Sequence, residues 1–280
     1  MYKTKEDVMR RVQEHHAVAV EKYGDRVVGT FLQGSWNYSW DLCDEESDVD
    51  TKCLLLPTFE DFCLGKKMVS TTHVLPNNEH IDFKDLRLYM NCFKKQNVNF
   101  VEILFTDFFV LNPLYEEQVQ RLFDAREDIG RYDVKAALNC ICGMAYEKEK
   151  ALCHPYPTLK DKIEKYGFDG KQLSHIVRLA EFMAKYLGGK PYFECLQTSN
   201  GSVLLQIKRN QVFNLEEAKE FASTYTKKLK EMKDEYLVEH EVEKNSHVDA
   251  LLDDVCVECM KLNFLDFVKN SYWQYKINNI

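Results

Sequence analysis

Gly34-Ser-Trp-Asn-Tyr38 and, one short loop later, Ser47-Asp-Val-Asp-Thr-Lys52 decide how this chain is read. Upstream, 26–33 (Arg-Val-Val-Gly-Thr-Phe-Leu-Gln) has the apolar, β-branched character of a buried strand, and it ends where glycine lets the backbone turn tightly. Ser35 then opens a new element. Side chains on a strand alternate, so Asp48 and Asp50 point to one face while Val49 turns to the core and 53–56 continues inward. Two carboxylates on one face repel unless a cation lies between them. Mg²⁺, with Mn²⁺ as its substitute, answers that need because it takes hard oxygen ligands from one or two carboxylates plus substrate phosphates. A phosphate-sized turn beside two acidic side chains reads as a metal-dependent nucleotide site.

A third carboxylate follows. His80-Ile-Asp-Phe-Lys84 alternates like a strand, comes after the turn signal Pro76-Asn-Asn78, and leads into the helical spacing of Leu86, Met90 and Phe93. Together these segments resemble the signature of the polymerase-beta-type nucleotidyltransferase superfamily. They are most similar to a predicted-nucleotidyltransferase branch with a Gly-Ser-x-x-Tyr turn, a Ser-Asp-x-Asp strand, a later strand carrying one Asp, and an Asn-x-Asn-x-x-Glu stretch. Here that last piece is Asn97-Val-Asn-Phe-Val-Glu102. The branch usually carries glycine after the tyrosine and proline inside the Asn-x-Asn piece, where this chain has Ser39 and Val98; both are differences of loop shape. The resemblance implies an α+β fold in which a polymerase-beta-like catalytic domain with a mixed sheet precedes a mainly helical domain.

It also implies a mechanism. Asp48, Asp50 and Asp82 would hold two metal ions, one on the β- and γ-phosphates of a nucleoside triphosphate and one on the attacking hydroxyl, whose proton Asp82 could accept. Gly34, Ser35, Asn37 and Tyr38 would form the phosphate turn, with the Ser35 hydroxyl and the N–H groups of 35–37 facing the terminal phosphates. Further on, Tyr166-Gly-Phe-Asp-Gly170 breaks the chain and a helix begins in which Lys171, His175 and Arg178 fall on one face at spacings of four and three. From spacing alone three such residues are a solvated helix side. The same branch shows a Lys-x-x-x-His-x-x-Arg helix, which implies that Lys171 and Arg178 reach the triphosphate while His175 orients a phosphate or the acceptor.

Composition frames the site. At 280 residues, 45% hydrophobic and 29% charged, the chain is long enough for two ordinary cores and falls outside the disordered and fibrous classes. The expected division is a catalytic domain over 1–127, opened by a helix at 5–23 capped by Thr4, and a mainly helical domain over 128–280. Helical periodicity covers 133–153, 171–187, 215–240 and 247–267, and apolar runs at 192–196 and 203–207 suggest a hairpin. The acidic 41–46 loop reads as a solvated excursion over the cleft mouth. No apolar run reaches membrane-spanning length and the amino terminus lacks a signal core, so the reading expects a soluble, cytoplasmic chain with its ten cysteines reduced rather than holding zinc. A net charge of −8 disfavours extended duplex DNA, while lysine patches such as Lys208-Arg209 and 226–230 leave an RNA end, a protein hydroxyl or a small alcohol as acceptors. The alternative is a non-catalytic nucleotide-binding protein on the same scaffold.

Overall fold

A computed structural model describes the backbone of residues 3–278 and the side chains of 3–269; Met1, Tyr2, Asn279 and Ile280, at the ends of the two expected domains, lie outside the described residues. The first helix is the one its cap announces. Thr4 accepts the Asp7 N–H while the Asp7 side chain accepts from Thr4, and α1 (Lys5–Tyr23) buries Val8, Val12, His15 and Ala19 along one stripe.

That stripe lies against a sheet. Among the described residues its strands are β1 (Val27–Gln33), β2 (Asp50–Leu55), β3 (Ser70–Val74), β4 (His80–Asp85) and β5 (Phe109–Leu111), in the order β3-β4-β2-β1-β5. The pairing of β2 with β4 is parallel and the others are antiparallel, so the sheet is mixed and the α+β class holds. Parallel neighbours need a crossover. Here it is supplied by α2 (Phe59–Cys63) and β3, after which α3 (Leu86–Lys94) and α4 (Val98–Val101) cover the sheet's other side.

Two short helices, α5 (Glu116–Asp124) and α6 (Arg126–Gly130), lead into a helical layer of α7 (Val134–Ala151), α8 (Lys160–Tyr166), α9 (Gly170–Leu187), α10 (Tyr192–Leu196), α11 (Gly201–Lys208), α12 (Leu215–Glu239) and α13 (Ser246–Asn278). The expected boundary at residue 127 falls within α6. One apolar core runs through both halves, from Val28 and Leu54 through Phe105 to Leu179 and Met260. The last helix returns to the sheet side, where Lys94 pairs with Asp249 and Asp253, and Asn263 donates to the Pro57 carbonyl at 3.1 Å. No helix among the described residues is long and apolar enough to cross a membrane.

The hairpin expected at 192–196 and 203–207 is not formed; both runs are helical. Tyr192, Cys195 and Leu196 are buried at helical spacing while Phe193 is exposed, and Leu204 and Ile207 are buried while Val203 is exposed. An apolar run of five residues fits either period, and here packing against the helical layer decides.

The edge of β2 is held by a buried polar chain. His15 links Thr51 Oγ1 (2.9 Å) and Glu79 Oε2 (3.1 Å) through its two ring nitrogens, Arg11 Nε donates to Glu79 at 2.9 Å, and Val49 N–H donates to the other Glu79 oxygen at 3.3 Å. Burial alone would push the Glu79 carboxyl up, but the hydrogen bonds from His15 and Arg11 prevail and hold it at about 2, below its ordinary 4.5. A depressed carboxyl contributes stability that is complete above its unfolded pKa and lost as pH falls through its folded one. We therefore expect Glu79→Gln to cost up to about 3 kcal/mol at neutral pH. Denaturant titrations of both proteins at pH 7 and pH 3 should show the gap narrowing in acid; an equal gap at both would contradict the assignment.

Candidate functional site

β1 ends at Gln33, and Gly34 follows with φ +89 and ψ −151, a conformation that glycine alone adopts without strain. A Cβ there would meet nothing within 4 Å, so the requirement is conformational rather than one of space. The element that Ser35 opens is a single 3-10 turn, Ser35–Asn37, rather than a full helix. Its donors are partly used within the turn: Asn37 N–H reaches Gly34 O at 2.9 Å and Tyr38 N–H reaches Ser35 O at 3.0 Å. The Asn37 side chain also points elsewhere, donating to Leu32 O at 3.0 Å and accepting from Thr106 Oγ1 at 2.7 Å. Asn37 therefore shapes the turn from behind and does not face the cleft.

Glu102, 2% exposed, anchors the turn. One of its oxygens accepts Gly34 N–H at 3.2 Å and the other accepts the Tyr38 hydroxyl. Burial pushes the Glu102 carboxyl up, and burial likewise lifts the Tyr38 phenol far above its ordinary value.

Asp48, Asp50 and Asp82 line one wall of a cleft of about 410 Å³ that Ser35 and Tyr38 also line. Trp36 Nε1 clamps the chain by donating to the Asp48 carbonyl at 2.9 Å, leaving the Asp48 side chain exposed. Partial desolvation, then the adjacent Asp50 charge, push the Asp48 carboxyl up. Asp50 Oδ1 accepts His80 N–H at 2.8 Å and lies 3.2 Å from His80 Nδ1. Asp82 is registered beside Lys52, with Oδ2 at 3.4 Å from Lys52 Nζ, and Thr72 donates to its Oδ1 at 2.5 Å. Asp85 plays no part: it is buried, caps α3 and pairs with Arg87 at 2.7 Å. In the acidic loop expected to be solvated, Asp44 is instead buried and pairs with Arg209 at 2.6 Å.

The opposite wall is cationic. Asp169 caps α9, and a Cβ on Gly170 would lie 2.0 Å from the Ile207 carbonyl, so only glycine lets α11 close on α9 and set Lys208 near Lys171. Burial, then the charge of Lys171, lower the ammonium of Lys208; burial also lowers that of Lys148. Burial, reinforced by Arg178 and the lysines, pushes His175 far below its ordinary value, so its imidazole is neutral at pH 7. Arg178 is 4% exposed, and none of its three guanidinium nitrogens has a hydrogen-bond partner. Its Cζ sits 3.8 Å from the centre of the Tyr38 ring, and it lines a recess with Ser35, Ser174, His175 and Lys208. The helix face read as solvated from its spacing turns inward along its length, from exposed Lys171 through half-buried His175 to buried Arg178.

Lys52, Lys208 and Glu102 line the cleft without having been assigned a role from sequence. Signals existed: Lys52 lies two residues beyond Asp50 on the same face, Lys208 belongs to a noted basic patch, and Glu102 closes the quoted Asn-x-Asn-x-x-Glu stretch.

Among the described residues no three His, Cys, Asp or Glu side chains form a group able to hold a metal ion. Asp48 and Asp50, mutually repelling and facing the cleft, fit one divalent ion completed by substrate phosphates. Asp82, with both oxygens engaged, does not complete a two-ion set. No protein-family model matches the chain, and no curated protein matches its sequence.

A buried guanidinium without a hydrogen bond is costly; its recess, about 20 Å³, has room for little more than a water, so an anion would relieve it from the adjoining cleft, at Lys171, His175 and Lys208. Millimolar pyrophosphate should raise the unfolding temperature of the wild type and leave Arg178→Met unmoved, while the variant alone should melt about 2–4 °C higher than wild type in anion-free buffer. A wild type indifferent to pyrophosphate in differential scanning fluorimetry would show that the cleft takes no such anion.

Proposed function

We propose that this chain is a divalent-metal-dependent nucleotidyltransferase, moving a nucleoside monophosphate from a nucleoside triphosphate to a hydroxyl on an acceptor such as an RNA end, a protein side chain or a small alcohol. The observation that carries it is the division of charge across the cleft, with Asp48 and Asp50 on one wall, Lys171 and Lys208 on the other, and Arg178, without a hydrogen-bond partner, in the small recess that adjoins them. Mg²⁺ or Mn²⁺, held by Asp48 and Asp50, would supply charge neutralisation on the phosphates. Ser35, Lys171, Lys208 and Arg178 would hold the outgoing diphosphate, and neutral His175 would orient an oxygen without adding charge. The acceptor oxygen bonds to the α-phosphorus as the bond to pyrophosphate breaks, and its proton passes to a carboxylate, for which Asp82 stands on the same wall. Positioning and electrostatics would provide most of the rate.

One observation favours the non-catalytic alternative: the third carboxylate is already engaged by Lys52 and Thr72. The deciding experiment supplies each α-phosphate-labelled nucleoside triphosphate with Mg²⁺ or Mn²⁺ and total RNA or cell lysate as acceptor. Transfer is expected in the wild type and a drop of about 10³-fold or more in Asp48→Ala and Asp50→Ala. The thermal stability of Asp48→Ala should stay equal or rise, since it removes a repelling charge, whereas Asp50→Ala also gives up the hydrogen bond from His80 N–H. Metal-dependent nucleotide binding without transfer would select the alternative, and transfer undiminished in either variant would sink the mechanism.

A further inference from the structure

We infer that Lys52 supplies from within the chain the positive charge that a second divalent ion would bring, so that the cleft takes one ion, at Asp48 and Asp50, and not two. The inference rests on the nucleotidyltransferase reading above and concerns how that site is charged.

Register puts Lys52 in this position. The parallel pairing of β2 with β4 sets Lys52 directly beside Asp82, and strand alternation keeps Lys52 on the face that carries Asp50. The ammonium therefore lies against the third carboxylate, on the face that carries Asp50. It is no surface lysine: Lys52 is 5% exposed, with Nζ 3.4 Å from Asp82 Oδ2 and 4.6 Å from the centre of the Phe100 ring. Buried lysines hold their place because leaving one unpaired is costly. Asp82 is already engaged at both oxygens, since Thr72 donates to Oδ1 at 2.5 Å and Lys52 Nζ lies 3.4 Å from Oδ2.

The other end of the wall is different. Among the described residues Asp48 has no ion-pair partner, and Asp50 pairs only with His80. Setting aside the buried Glu102 and the Lys171 and Lys208 opposite, the three aspartates and Lys52 on this wall leave two negative charges, which is what one divalent cation neutralises. A second ion would have to displace a buried ammonium from its carboxylate and then sit beside it.

The test counts ions. Equilibrium dialysis of the wild-type chain with Mn²⁺ and a non-hydrolysable nucleoside triphosphate analogue, measuring Mn²⁺ per bound nucleotide, should give one. Lys52→Met keeps the apolar stem against Phe100 while removing the charge, and should give two, with the broadened electron paramagnetic resonance spectrum of a coupled Mn²⁺ pair. Two ions in the wild type would overturn the inference and leave the nucleotidyltransferase reading intact, whereas no bound Mn²⁺ or nucleotide would overturn both. A folded Lys52→Met, checked by circular dichroism, that still binds one ion would remove Lys52 from the role. The wild-type count stands even if that variant does not fold.

Discussion

A carboxylate almost without access to water sits where the sheet, the glycine turn and the helical layer meet. Glu102 accepts Gly34 N–H with one oxygen and the Tyr38 hydroxyl with the other, and the Tyr38 ring in turn carries the Arg178 guanidinium on its face. Each link is costly alone: a buried acid, a phenol far from water, a glycine in a left-handed conformation, an arginine without a hydrogen bond. Joined, they fix the separation between the turn that ends β1 and the first turns of α9. Further ties reinforce that spacing, since Thr198 N–H donates to Tyr38 O at 3.0 Å and Gln197 Nε2 to Asn37 O at 2.7 Å. The helical layer is thereby held to the sheet domain at the site itself as well as through the apolar core.

The carboxylate wall is held just as firmly from the far side of the sheet. Residues 48–51 are anchored alternately, by Trp36 on the Asp48 carbonyl, Glu79 on Val49 N–H and His15 on the Thr51 hydroxyl. Every anchor uses the backbone or the inward-facing side chain. The outward carboxylates are left with few contacts, which is how a strand edge presents acidic groups rigidly without neutralising them.

Local patterns in the sequence carried a good part of this. Thr4 and Asp7 mark the start of α1, alternation in 80–85 marks β4, and Asp169-Gly170 marks the start of α9, because each signal is a short-range requirement of backbone hydrogen bonding or side-chain period. What escaped was set by contacts distant in the chain. Whether 203–207 is strand or helix depends on the layer it packs against. That Asn37 turns to Thr106 follows from a partner 69 residues away, and that Lys52 meets Asp82 follows from strand register. Arg178 shows the limit most clearly: its spacing with Lys171 and His175 describes a helix face, but whether that face meets water or a tyrosine ring is decided by the closure of α11 and the turn upon α9.

That closure gives the cleft its character. Lys148, Lys171, Lys208 and Arg178 crowd one side, where burial first and their mutual repulsion second lower the ammonium groups of Lys148 and Lys208, while Asp48 and Asp50 repel on the other. No ion pair joins the walls among the described residues: Lys171 and Lys208 offset the rise of the Asp48 carboxyl only in part, and the Glu102–Tyr38 link holds the Ser35 turn beside both. A fold that minimised its free energy alone would let Arg178 reach a carboxylate. Holding the charges apart leaves the free site electrostatically unsatisfied, so a ligand carrying negative charge at one end and accompanied by a cation satisfies both walls at once. The preorganisation that costs stability in the free chain is what makes the site selective for such a ligand.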